Sequence, residues 1–102
     1  MNKHNKKPRN EEMYKAILSL ETLEECMAFF SDLCTVTELQ AMEQRYQVAV
    51  LLNQGLIYND ILEQTGASSA TISRVNRFLT EGTGEFREIF ERMNKEEKAS
   101  EA

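Results

Sequence analysis

The amino-acid sequence predicts an all-α domain of about six short helices. Apolar residues recur at helical spacing along almost the whole chain, and no stretch alternates apolar and polar residues cleanly enough for a strand. The chain has 102 residues, of which 41% are hydrophobic and 28% charged, as in one soluble globular domain. Four glycines and one proline are too few for a collagen-like chain or a flexible linker.

Helix-start signals delimit the first three predicted helices. Asn10 is a favourable N-cap before two glutamates, so the first helix is predicted to begin at residue 11. Residues 22–25 and 35–38 each carry a threonine followed three residues later by a glutamate, which is the capping-box pattern. These two segments predict the starts of the second and third helices. Gly55 predicts the end of the third helix, because glycine adopts the left-handed conformation without Cβ strain.

Three further helices are predicted after this glycine. A short helix is expected over about residues 59–64, and Ser68 is a suitable N-cap for the helix that follows. Gly82 and Gly84 break that helix. The last helix is expected near residues 85–94, where four large apolar side chains fall on one side.

The predicted domain boundaries follow the composition of the two ends of the chain. Residues 1–10 are basic and polar, and residues 95–102 contain no large apolar side chain. Both segments are therefore expected to be disordered. The helical domain is predicted to span residues 11–94.

Residues 58–78 have the pattern of a helix-turn-helix motif. Gly66 permits a left-handed turn between two helices that cross steeply. Apolar and small side chains fall where the two helices and the turn face one another. These inward-facing residues are Ile61, Thr65, Ala67, Ile72 and Val75.

The outer face of the second helix of this motif carries most of the candidate DNA-binding residues. Residues 66–80 contain two arginines and no acid, although the whole chain has a formal net charge of −5. Hydroxyls and arginine side chains bond base edges and phosphates in DNA. The candidate contacts are Asn59, Ser68, Ser69, Ala70, Thr71, Ser73, Arg74 and Arg77.

The sequence argues against an enzyme, a metal protein and a membrane protein. His4 is the single histidine, and Cys26 and Cys34 would lie roughly 12 Å apart on one helix, so neither a disulfide nor a metal site is expected. No phosphate-binding loop or dinucleotide-binding motif is present. The longest apolar run has five residues, whereas a membrane-spanning helix needs about twenty. The basic N-terminus lacks the apolar segment of a secretory signal, so a cytoplasmic location is expected.

One alternative stays open at this point. The same pattern would also fit a helical protein-interaction module in which the helical hairpin only packs and binds no DNA. Binding of genomic DNA fragments separates the two interpretations.

Three segments of the sequence resemble the YerC/YecD-type family of Trp-repressor-like proteins. The resemblance covers roughly residues 11–92 and rests on TGASSATISRVN, ETLEECMAFFSDLCTVTEL and RYQVAVLLNQG. It implies an intertwined homodimer that binds a palindromic operator in double-stranded DNA through the helix-turn-helix motif. It further implies a transcriptional repressor of an amino-acid biosynthesis operon, such as histidine or tryptophan genes.

The resemblance also implies candidate residues for a small-molecule corepressor. Thr35, Arg45 and Arg74 occupy positions that surround the bound tryptophan in the Trp repressor. Val75 and Phe78, however, stand where that repressor has a glycine and a serine. Because added bulk in a packed site costs roughly 1–3 kcal/mol, we expect no tryptophan binding. We expect either no effector or one that is smaller than tryptophan or differently shaped.

Overall fold

The computed structural model describes residues 8–101, which fold into six α-helices and contain no strand. The all-α prediction is therefore confirmed. The helices are α1 Glu11–Leu18, α2 Leu23–Leu33, α3 Val36–Asn53, α4 Tyr58–Thr65, α5 Ser69–Glu81 and α6 Glu85–Glu101.

The predicted capping residues accept hydrogen bonds from backbone N–H groups at the starts of the first three helices. At α3 the Thr35 hydroxyl accepts the Glu38 backbone N–H at 3.1 Å, and the Glu38 carboxylate accepts the Thr35 N–H at 2.9 Å. At α2 the Thr22 hydroxyl accepts the Glu25 N–H at 3.0 Å. Asn10 caps α1 with its side-chain oxygen. These bonds give partners to N–H groups that have none inside a helix, which fixes where each helix begins.

The C-terminal end of the chain differs from the prediction. α6 continues to Glu101 instead of ending near Asn94, so residues 95–101, for which disorder was expected, belong to a helix in the structure. This extension is rich in lysine, glutamate and alanine, which are strong helix formers. Glu91 also lies four residues before Lys95, a spacing at which opposite charges stabilise a helix.

The N-terminal leader is described only in part. Residues 8–10 have no regular secondary structure. The remainder of the segment predicted to be disordered, residues 1–7, lies outside the described residues.

The chain divides into two compact units, an N-terminal unit that ends at Leu39 and a C-terminal unit that begins at Gln40. In the N-terminal unit, neither α1 nor α2 has a buried residue. Several of their large apolar side chains are instead exposed, with Leu18 at 83%, Leu23 at 74% and Met27 at 62%. This unit has apolar side chains but no buried core of its own within the described chain.

The C-terminal unit contains the hydrophobic core. Phe86 and Phe90 of α6 and three leucines around the end of α3 pack against this core while keeping some exposure. Because α3, α4 and α5 all contribute, the core holds both helices of the motif against α3. Its buried side chains are Val48, Ala49, Ile61, Ala67, Ile72 and Val75.

Candidate nucleic-acid interface

The turn between α4 and α5 has the conformation that the sequence predicts. Gly66 ends α4 with φ of 74° and ψ of 3°, in the left-handed region. Its N–H bonds the Leu62 carbonyl oxygen at 2.8 Å. No heavy atom outside its chain neighbours lies within 4 Å of where a Cβ would stand, so the conformation and not crowding requires glycine here.

The start of α5 is fixed by hydrogen bonds and by burial. Ser68 is its N-cap, and the Ser68 hydroxyl oxygen accepts the Thr71 backbone N–H at 3.1 Å. Ala67, directly before this cap, is only 2% exposed. The first turn of α5 therefore begins at a defined point on the surface of the C-terminal unit.

The side chains of α5 divide into an inner and an outer face. Ile72, Val75 and Leu79 are buried, at the spacing of one helix face. On the outer face Thr71 is half-buried and the other candidate DNA contacts of this helix are exposed. Those exposed residues are Ser69, Ala70, Ser73, Arg74 and Arg77, and the N-cap Ser68 and Asn59 of α4 are exposed as well.

The arginines on this outer face have no ion-pair partner among the described residues. Within residues 8–101 the one ion pair joins Lys15 to Glu12, so neither Arg74 nor Arg77 pairs with a described carboxylate. No acid precedes Glu81 in α5. Two exposed guanidinium groups and several hydroxyls thus lie on a helix that carries no acid before Glu81, and such groups can bond phosphates and base edges.

The candidate corepressor residues fall in both units. Thr35 lies in the N-terminal unit, where its hydroxyl and N–H form the capping box of α3. Arg45, Arg74, Val75 and Phe78 lie in the C-terminal unit, and of these only Val75 is buried.

Phe78 is more exposed than the other large apolar side chains of α5. The resemblance implies that its ring lies in or near a ligand pocket, and within the described chain the residue is 54% exposed. On α5, Leu79 takes the inward direction set by Ile72 and Val75. Phe78 lies about 100° around the helix from Leu79, at the edge of the inner face.

The C-terminal unit also contains two open cavities. One of about 370 Å³ lies between α3 and α6, lined by Tyr46, Asn53, Phe90 and neighbouring residues. The other, of about 280 Å³, is lined mainly by Tyr46, Phe86 and Ile89. Neither cavity is lined by any of the candidate corepressor residues.

Sequence reasoning missed one polar contact at the motif. The Gln44 side-chain amide of α3 donates to the Thr65 carbonyl oxygen at 3.1 Å, in a partly buried position. Gln44 lies four residues before buried Val48, on the same face of α3. A polar residue on an inward face was the signal that could have identified it.

The fold and the sequence match one known family. The family model described as Trp repressor protein matches residues 9–94, which is most of the chain. The chain belongs to the Trp repressor family. Its similarity to Trp-repressor-like proteins, inferred above from three sequence segments, is therefore confirmed.

Three relatives share between 44% and 51% sequence identity with this member of the Trp repressor family. It is 44% identical over 90 residues to the uncharacterized protein YerC of Bacillus subtilis (strain 168). The aligned residues cover 88% of this chain and 86% of YerC. A TrpR-like protein from Eubacterium eligens has a TM-score of 0.81 and 48% identity, over 82% of this chain and 87% of that one. A Staphylococcus aureus protein described as a candidate Trp repressor has a TM-score of 0.80 and 51% identity, over 82% and 84%.

Two further observations concern sites other than the helix-turn-helix motif. Among the described residues, no helix is both long and apolar enough to cross a lipid bilayer. The same part of the chain has no cluster of three or more histidine, cysteine, aspartate or glutamate side chains suited to a metal ion.

Proposed function

We propose that the chain is a sequence-specific DNA-binding regulator of transcription, a repressor, with α5 as its recognition helix. The observation that carries this proposal is the outer face of α5, which is exposed, free of acids before Glu81, and holds Arg74 and Arg77 without described ion-pair partners. Its first turn offers short side chains, which allow close approach to a groove. Membership in the Trp repressor family supports this function over catalysis.

We propose separate tasks for the residues of this surface. Arg74 and Arg77 contact phosphates or guanine, which supplies affinity. Ser69, Ala70, Thr71 and Ser73 contact base edges directly or through water, which supplies sequence preference. Asn59 and Ser68 contact the DNA backbone beside them.

The active form is proposed to be a cytoplasmic homodimer that reads a palindromic operator. One recognition helix reads only a few base pairs, so two copies related by a two-fold axis would read half-sites roughly one helical turn apart. The exposed apolar side chains of α1 and α2 support a second copy as the cover of the N-terminal unit. Phe29 and Phe30 add to this argument, because adjacent side chains on a helix point in different directions and need two covering surfaces.

The proposed regulator either works without an effector or binds one other than tryptophan. Val75 is 2% exposed, and in the correspondence implied by the resemblance it stands where the Trp repressor has glycine. The genes it controls are proposed to be amino-acid biosynthesis genes, by analogy with the family.

Selection of genomic DNA tests the function directly. The full chain is incubated with sheared DNA of its source genome, and bound fragments are recovered and sequenced. We expect enrichment of a few fragments that share a palindrome, with specific binding at least about a thousandfold tighter than binding to random fragments. Recovery of random fragments only, or of none, would contradict the proposal and favour the protein-interaction module.

A further inference from the structure

Side-chain hydrogen bonds in the described chain are almost all local. Most of them join residues no more than four positions apart, as in caps and turns. Two join distant parts of the sequence. The bond from Arg87 to Asn53 is exposed, whereas the bond from Gln44 to the Thr65 carbonyl oxygen is partly buried.

Thr65 connects three parts of the C-terminal unit through its own polar groups. Its carbonyl, at the last residue of α4, accepts from Gln44 of α3 at 3.1 Å. Its hydroxyl donates to the Ile61 carbonyl oxygen at 2.7 Å and accepts the Ala67 N–H at 3.1 Å. A chain of hydrogen bonds therefore runs from α3, through the end of α4, to the residue before the N-cap of α5.

We infer that Gln44 and Thr65 are positioning residues that set the orientation of the recognition helix α5. The apolar contacts of the core hold α4 and α5 together, but hydrophobic attraction is non-directional and leaves small rotations of the pair on α3 weakly specified. Hydrogen bonds depend steeply on distance and angle. Because the Gln44 bond reaches the turn itself, it fixes the turn relative to α3.

The position of the bond between Gln44 and Thr65 lets it affect the DNA contacts of α5. The last carbonyls of a helix have no partner inside that helix, so Thr65 needs one from elsewhere. Gln44 supplies it in a half-buried position, where water replaces a lost donor poorly. Ala67, held by the same threonine, directly precedes the cap of α5. A shift at this turn would therefore move every outer-face side chain of α5 together.

Gln44→Glu is the decisive variant, with Gln47→Glu as its matched control. Both changes add one negative charge to α3, but Gln47 is exposed and has no described side-chain bond, whereas a glutamate at 44 places a carboxylate against the Thr65 carbonyl. Residual dipolar couplings of backbone N–H vectors report the orientation of α5 relative to α3. We expect the α5 couplings to change in Gln44→Glu and to match wild type in Gln47→Glu.

The second measurement rests on the proposed function. Binding to the fragments selected by the wild-type chain should weaken about threefold to tenfold in Gln44→Glu relative to Gln47→Glu, with the same affinity for random DNA and the same salt dependence. Loss of folding alone would instead lower the affinity for selected fragments and the affinity for random DNA together. A wild-type chain that selects no fragment would contradict the proposed function, and the couplings would still decide the positioning role.

Thr65 variants keep the inference testable if Gln44→Glu unfolds. Thr65→Val removes the hydroxyl with little change in shape, whereas Thr65→Ser keeps it. We expect faster amide exchange of Ala67 and altered α5 couplings in Thr65→Val, both restored in Thr65→Ser. Wild-type couplings in folded Gln44→Glu or in Thr65→Val would overturn the inference. Altered couplings with unchanged discrimination between selected and random DNA would overturn its link to recognition.

Discussion

The two compact units use similar apolar side chains in different ways. In the C-terminal unit, residues of α3, α4 and α5 are buried in one core around Ile61 and Ile72. In the N-terminal unit, the described chain buries no residue of α1 or α2, and Leu23 and Met27 are mostly exposed. Side chains cap α1 and α2 of the N-terminal unit as Ser68 caps α5 of the C-terminal unit, so the difference lies in packing and not in these helix-start signals.

This difference separates two tasks within one short chain. The C-terminal unit has a buried core that packs the two helices of the helix-turn-helix motif against α3. Soluble proteins seldom leave large apolar surfaces uncovered, so we propose that the exposed apolar side chains of the N-terminal unit form an interaction surface. On our proposal a second copy covers it, and the dimer then carries two recognition helices.

The largest expected effect comes from a charge placed on the exposed apolar surface of α2. Met27→Glu should abolish dimer formation, because burying an unpaired charge costs several kcal/mol and would raise the dissociation constant more than about a hundredfold. Ala28→Glu is the control, since Ala28 is exposed on the polar side of α2 beside Glu24 and Asp32. Sedimentation should give twice the 11.8 kDa chain mass for wild type and Ala28→Glu, and the single mass for Met27→Glu. A monomeric, fully helical wild type would refute the dimer.

The junction after α5 should be the most sensitive glycine position of the C-terminal unit. A Cβ at Gly82 would collide with the Phe78 backbone carbonyl oxygen, which a helix cannot easily move. Gly82→Ala should therefore lower the free energy of unfolding by about 1–3 kcal/mol. Gly84→Ala, at φ of 91° in open space, should suffer only the left-handed strain of roughly 1–2 kcal/mol. Thermal denaturation in which Gly84→Ala is the less stable variant would contradict this account.

A smaller effect is expected at the start of the recognition helix. Ser68→Ala removes the acceptor of the Thr71 N–H and should cost about 1 kcal/mol of stability. Ser69→Ala changes an exposed serine with no described side-chain bond and should be close to neutral. Equal denaturation midpoints for the two variants would show that the Ser68 cap contributes nothing.

The smallest expected signal is the response to tryptophan. On our proposal, buried Val75 takes the space that an indole ring would need, although Arg74 could still hold a carboxylate. Calorimetry with millimolar tryptophan should therefore give no saturable heat for the unmodified chain. Val75→Gly combined with Phe78→Ser should move the protein toward binding it. Saturable heat with the wild-type chain would show that the space beside Val75 is open.

Local signals in the sequence were sufficient to predict several helix starts and the turn. The capping residues Thr35 and Ser68 and the left-handed Gly66 act through neighbours within a few residues, so a pattern can identify them. Gly55, with φ of 90° after the end of α3, is a further example. The outward position of Arg74 and Arg77 followed from helical spacing alone.

Features that depend on distant contacts could not be predicted in this way. The exposure of Phe78 depends on which of two neighbouring apolar side chains is buried, and Leu79 is the buried one. The bond from Gln44 to Thr65 joins residues 21 positions apart. The continuation of α6 to Glu101 rests on weak propensities summed over several residues, which a search for apolar spacing overlooks.

The salt dependence of DNA binding by Arg77→Ala tests the central claim most directly. Arg77 is exposed on the outer face of α5 and has no described ion-pair partner. If it contacts a phosphate, its loss should weaken binding to selected and random fragments alike and reduce the slope of log affinity against log salt by roughly one. An Arg77→Ala chain that binds the selected fragments with wild-type affinity and slope would contradict the assignment of α5 as the DNA-binding surface.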